Sequence, residues 1–285
     1  MVCALGAAVC FGTASVFQAM AARAVASPDG GAGGALGLLW RAVRQWRYLL
    51  GLGLDGAGFV LQIAALRALP IYVVGAALAA SLAVTALVAA RLLGTRLSRA
   101  EWAAVAVVCA GLALLASASG AEGGERGPGW LPGALLAAAV GVLAVGAVAG
   151  RLPAGPRALV LGLAAGTGFG VVEVAVRLID ALEPGMFAHL PVWALLVGGA
   201  AGFLLLTSAL ERGSVTAATA GLVLGETVAP AVVGVWWLGD RTRPGLAPLA
   251  VAGFALAVVA ALALSRFGEP DAGPGPEAGL RAGRR

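Results

Sequence analysis

Apolar residues run along this chain in long blocks, and the polar ones gather between them. Uncharged stretches cover residues 68–90, 102–121, 127–150, 190–210 and 244–265. Each reaches the roughly 20 residues that a helix needs to cross the hydrocarbon core of a bilayer. Four more, at 2–22, 48–66, 156–179 and 215–238, are as long, and three of them carry one internal acid each. The pattern predicts an all-α polytopic membrane protein with about nine transmembrane helices. Residues 34–46 are too short in their apolar run to span. There Arg41 and Arg44 recur at a spacing of three, followed by Arg47, with Trp40 and Val43 between them. That pattern suits a helix lying in the interface, basic side toward the headgroups.

Composition strengthens this picture. The chain is 60% hydrophobic and 12% charged, with mean hydropathy +0.96. A soluble domain carries about a quarter charged residues. All 19 basic residues are arginine, which together with the abundant Ala and Gly suggests the codon bias of a high-GC bacterium. The net charge of +5 points to topology rather than to nucleic acid, because the arginines sit between spans. Fourteen fall on one side of the predicted topology and five (Arg67, Arg126, Arg177, Arg241, Arg243) on the other. The rich side should be cytoplasmic, which places the C-terminus inside a bacterial plasma membrane. Ala24-Val25-Ala26 resembles a signal cleavage site, but no basic segment precedes it, so the first helix is read as retained. Cys3, Cys10 and Cys109 lie within spans and read as small packing residues. The single histidine, His189, precludes a His-built metal site, and no cofactor motif is present.

The two halves of the chain are related. Residues 58–66 (GFVLQIAAL) match 202–210 (GFLLLTSAL), and Leu93-Gly94-Thr95-Arg96 parallels Leu238-Gly239-Asp240-Arg241. Gly12-Thr13 with Arg23 parallels Gly166-Thr167 with Arg177. Five spans separate each pair. An odd number turns the second copy upside down, the inverted-repeat plan of many secondary transporters. The organisation expected is a first repeat at 1–119 containing four spans and the interfacial segment, a Gly-rich linker at 120–129, a connecting span at 130–150, a second repeat at 156–266, and a disordered cytoplasmic tail at 267–285.

These features, with residues 225–241 (GETVAPAVVGVWWLGDR), resemble the drug/metabolite transporter superfamily and its EamA-like group over residues 2–267. In that family a helix carrying an acid and a proline closes on a Gly-acid-basic turn. The sequence departs from it in its nine rather than ten spans, and in having Thr95 where the second copy has Asp240. The nine-span plan with Trp46-Arg47 opening the second helix is similar to the magnesium-transporter-like (NIPA) branch. The resemblance implies a secondary transporter working by alternating access.

An ionisable group inside a span costs on the order of 3 kcal/mol at the centre, so each needs a reason. Glu226 lies roughly 17 Å into its helix, near midplane. Pro230 cannot donate to the carbonyl of residue 226, which leaves that oxygen free beside the carboxylate. Thr219 shares the face seven residues back. Asp55 lies roughly 12 Å from the arginine-rich end of its helix, with Gln62 at i+7. An ion pair with an inner-side arginine such as Arg47 or Arg91 is the structural alternative for it. Glu173 has Arg177 at i+4, the favoured order for an intrahelical salt bridge, and reads as structural. Ser15 and Gln18 share a face of the first helix and line the same expected cavity. The glycine pairs Gly162/Gly166, Gly198/Gly202 and Gly221/Gly225 read as close helix packing. Gly166-Thr167-Gly168-Phe169-Gly170 has the look of a dinucleotide fingerprint but lies inside a continuous span, with no strand before it. With acids in the spans and no deep arginine, the expected substrates are cations, protonated amines or neutral metabolites. A divalent-cation permease or channel and a non-transporting scaffold remain as alternatives. An enzyme is not expected, because no nucleophile–base or metal-ligand cluster is evident. The partners expected are the bilayer and a small substrate, with a homodimer left open.

Overall fold

A computed structural model describes residues 1–25, 45–93, 97–149, 151–179, 185–212 and 215–267. It is all-α: α1 (Val2–Val25), α2 (Trp46–Leu66), α3 (Ile71–Ala79), α4 (Ser81–Leu93), α5 (Arg99–Ala118), α6 (Leu131–Ala149), α7 (Ala154–Leu178), α8 (Leu190–Arg212), α9 (Val215–Trp237) and α10 (Ala247–Phe267). Among the described residues, nine helical spans are long and apolar enough to cross a membrane. They match the nine apolar stretches of the sequence, and the protein is a polytopic membrane protein. The interfacial segment expected at 34–46 lies almost wholly outside the described residues, as does the tail beyond Phe267.

One span is built differently from the expectation. The apolar stretch at 68–90 reads as a continuous helix, yet α3 and α4 meet at a break at Ala80. There the backbone tightens to i→i+3 bonds, Ala80 N–H to the Ala77 carbonyl and Ala83 N–H to the Ala80 carbonyl. Gly12 of α1 presses against the Ser81 carbonyl at this point, and Thr85 Oγ1 donates to the Gly12 carbonyl at 3.1 Å.

Small residues set the packing. Gly51 of α2 faces Ala14 and Gln18 of α1, and Gly58 faces Cys10 and Phe11, so the two helices run antiparallel. The C-terminal end of α1 and the N-terminal end of α2 are therefore on one side of the bundle. Gly168 of α7 meets Gly198 and Gly202 of α8, again antiparallel. Gly162, Gly166 and Gly170 of α7 lie along α9, whose Gly221 and Gly225 face back, and these helices run parallel. In each half, the first helix packs on the second and on the third. The halves meet through α3 against α9 and through α5 against α10, where Gly111 and Gly253 touch backbone to backbone. The connecting helix α6 lies on α7 and α8.

The outer surface suits lipid. Val60, Phe203, Val251 and Val259 are among its exposed apolar side chains. Aromatic residues mark both rims, Trp130 against Trp237 at 5.4 Å at one end and Trp46 beneath Arg47 at the other. The five arginines of the arginine-poor side gather at the first of these ends. So does the linker. Its Gly120 N–H bonds to the Arg241 carbonyl, and Arg241 N–H bonds to the Ala121 carbonyl. Residues 119–123 are thus stitched to 240–243 rather than forming a bare spacer.

Candidate functional site

Helix α7 passes through the middle of the molecule, and residues 171–176 are all buried. Glu173 sits in this stretch with 0% exposure. Its Oε1 accepts a hydrogen bond of 3.2 Å from Gln62 Nε2 of α2, so the two halves of the chain join here through buried polar groups. Its Oε2 has no hydrogen-bond partner. Gly75 of α3 faces that oxygen. A methyl group placed on Gly75 would stand 3.9 Å from Oε2 and 3.6 Å from Thr227 Cα of α9. Thr227 is buried, and its hydroxyl donates to the Val223 carbonyl at 2.6 Å. Next to it in the chain is Glu226, partly buried. Four elements, α2, α3, α7 and α9, thus converge at the Glu173 carboxylate.

The sequence candidates divide over this geometry. Gln62 belongs to the convergence, and Glu226 adjoins Thr227 on α9. Pro230 is fully buried within an unbroken α9, and its ring packs at Gly170 of α7. Thr219, seven residues before Glu226 on α9, is partly buried. Asp55 and Gln62, expected as a pair on one face, take separate partners. Gln18 Nε2 of α1 donates to Asp55 Oδ2, which makes a second polar contact within the first half. Ser15 does not join it, because its exposed hydroxyl donates to the Phe11 carbonyl of its own helix.

Glu173 is the main correction. The local pairing with Arg177 is replaced by a longer-range arrangement. Arg177 Nη1 donates to the carbonyls of Leu66 and Leu69, each at 2.9 Å. Its Nη2 donates to the Gly123 carbonyl at 2.7 Å and to Asp240 Oδ1 at 2.9 Å. Asp240, 3% exposed, also accepts from the backbone N–H of Ile71 at 2.7 Å and of Gly123 at 2.8 Å. One arginine and one aspartate therefore tie α7, the α2–α3 turn, the end of α9 and the linker into a cap one turn above Glu173. Outside the cap is an open, polar depression of about 470 Å³, lined by Arg67, Glu122, Glu125, Arg126 and Arg177 among others. Sequence reasoning missed this cap. The available signal was the Gly239-Asp240-Arg241 turn, read as part of the repeat and of the family resemblance and not as a partner for Arg177.

Among the described residues, no three His, Cys, Asp or Glu side chains gather as a metal centre would require. Compared with family models, curated proteins and solved structures, the chain returns no match.

Proposed function

We propose that the protein is a secondary transporter working by alternating access, with its central site between the two halves at Gln62, Glu173 and Glu226. The observation that carries this reading is the Gln62–Glu173 hydrogen bond, a buried polar link between halves inside the bilayer span. Ionisable groups at such depth are costly, and they mark substrate or ion paths when they face the interior of a bundle. Three further features support it. The third span departs from regular α-helix at Ala80, where it tightens to i→i+3 bonds beside the packed interior. The glycine faces of α7 and α9 permit sliding at close approach. The hydrogen bonds between the halves run from Gln62–Glu173 outward to the arginine-poor end, which supports a state closed on that side. The resemblance to the drug/metabolite transporters fits this reading, and the arginine asymmetry supports a cytoplasmic arginine-rich end and C-terminus. The acids favour a small cation, a protonated amine or a neutral polar metabolite.

Purified protein in liposomes, offered a panel of labelled amines, cations and metabolites under an imposed gradient, tests the proposal. Uptake should exceed that of empty vesicles and should fall at least tenfold in Glu173→Gln. Flux that is non-saturable and specific for divalent cations would favour a permease instead. Equal uptake by wild type, Glu173→Gln and Glu226→Gln would remove the central site from the mechanism.

A further inference from the structure

We propose that the protein carries a binding site for one phospholipid with a zwitterionic, amine-bearing headgroup. The site is formed where a polar pocket at the arginine-poor rim adjoins an apolar groove along α9 and α10. The inference is independent of the transport reading. It needs only that α9 and α10 span the bilayer, which their length and composition allow.

The rim pocket has a volume of about 460 Å³, and Glu125, Arg126, Trp130, Trp236 and Trp237 are among its walls. Its indoles pack edge to face, Trp130 against Trp237 at 5.4 Å and Trp236 against Trp237 at 6.2 Å. Indole rings attract ammonium groups, and a carboxylate beside them adds to the attraction. Glu125 is that carboxylate. Its side chain lies over Gly239, where a Cβ would stand 3.1 Å from Glu125 Cδ and Oε1. Gly239 has φ +75°, so glycine serves there both the turn and the close approach. Arg126 brings to the same pocket a guanidinium, the group that pairs with phosphate in fork geometry. An acid, an arginine and three indoles match the ammonium and the phosphate of one zwitterionic headgroup. Arg67 and Arg177 line only the neighbouring depression, which shares Glu125 and Arg126 with the pocket, and Arg177 is engaged by Asp240.

The groove has a volume of about 280 Å³ and shares Trp236 with the pocket. Its walls include Tyr72 of α3, Val228 and Val235 of α9, and Val251 and Phe254 of α10. The Tyr72 hydroxyl donates to the Arg241 carbonyl, so this wall is apolar too. Trp236 stands at the end of its span, where indoles mark the boundary between membrane and water. Val228 precedes it by eight residues, about 12 Å deeper at 1.5 Å of rise per residue. The pocket therefore lies among headgroups and the groove among acyl chains. Trp236 is 75% exposed and Val251 69%, so a chain reaches the groove directly from the bilayer. Water has few partners in such a space, whereas a hydrocarbon chain fills it. An ordinary belt of interfacial tryptophans needs neither an acid among its rings nor a groove beneath them. The groove walls come from both halves of the molecule, so a lipid seated there holds the halves together.

Native mass spectrometry of delipidated protein tests this. Dioleoyl lipids with ethanolamine, choline or glycerol headgroups, and diacylglycerol with none, are offered at equal concentration. Soluble phosphoethanolamine is offered alone. Wild type should retain one ethanolamine or choline lipid several-fold more than the glycerol lipid or diacylglycerol, and should gain thermal stability from it. Glu125→Gln, a change on an exposed side chain, should abolish that preference while leaving the chains bound. Val251→Phe fills the groove and should cut retention of every lipid several-fold. Val259→Phe makes the same change at an exposed position of α10 outside the groove, and should behave as wild type. Equal retention of all lipids by the wild type would reduce the rim to an ordinary aromatic belt and overturn the proposal. So would preference for the glycerol lipid, an unchanged preference in Glu125→Gln, or phosphoethanolamine binding as tightly as the whole lipid. A Val251→Phe protein that retains lipid as Val259→Phe does would remove the groove.

Discussion

Glu173 and Gln62 show how little a local rule says about a buried acid. Each is held by the other, so removing one strands its partner. Glu173→Leu should leave a buried amide unsatisfied and cost about 1–3 kcal/mol. Replacing both by leucine removes the stranded group, and buried polar pairs exchanged for apolar ones are often neutral or better. Thermal midpoints in the same micelle should therefore show Glu173→Leu well below wild type and the double variant near it, with transport lost in both. A double variant less stable than either single one would mean that the two side chains are held by other contacts. Reading depth and shared faces along each helix singled out Glu226, Asp55, Gln62 and Gln18. It could not show that Gln62 would reach α7 while Asp55 reached α1. Glu173 was misread because the i,i+4 spacing to Arg177 is a property of one helix. The acceptors that win Arg177 lie 54 to 111 residues away in the chain, and only the folded backbone brings them together.

At the scale of helices, glycine spacing was legible and helix pairing was not. Gly162/Gly166 and Gly221/Gly225 stand out at i,i+4, but nothing in the sequence says that these two pairs face each other. In the fold, a Cβ on Gly166 would lie 2.1 Å from the Leu222 carbonyl and 2.8 Å from the Glu226 nitrogen. Both are backbone atoms, so no rotamer change can relieve the clash. Gly166→Ala should cost on the order of 3 kcal/mol through forced separation of α7 and α9. Gly141 on α6 has open space about it, and Ala there should be neutral or stabilising by up to about 1 kcal/mol. Size-exclusion profiles and thermal midpoints of the two variants should diverge accordingly. Equal behaviour would show that α7 and α9 are not in backbone contact. The break at Ala80 was invisible for a different reason. Residues 79–81 hold neither glycine nor proline, so the local sequence gives no sign of it, and the partners seen at the break, Gly12 among them, come from other helices.

For the molecule as a whole, the nine spans and their arginine asymmetry were readable because bilayer thickness and charge placement act on sequence directly. The conformational state was not, since it depends on which end of the bundle is tied. The ties are concentrated in Arg177 and Asp240, with Asp240 also capping α3 through Ile71 N–H. If the arginine-poor end is the external gate, weakening this knot should admit water to the layer beneath it. Thr227 is a suitable reporter, being buried at 2% exposure and close to Glu173 through Gly75. In a background without Cys3, Cys10 and Cys109, Thr227→Cys should resist an impermeant thiol reagent applied to right-side-out vesicles. Adding Asp240→Asn removes the charge that Arg177 and two backbone N–H groups share, yet leaves a side chain of the same shape. Labelling of the cysteine should then rise several-fold from that side and little from inside-out vesicles. A cysteine at Ser98, near the start of α5 at the arginine-rich end, should show the opposite sidedness regardless of Asp240. If Asp240→Asn raises labelling only in inside-out vesicles, the arginine-poor end faces the cytoplasm and the orientation is reversed. If it raises labelling from neither side while the protein stays folded, the Arg177–Asp240 knot is structural and the gate lies elsewhere.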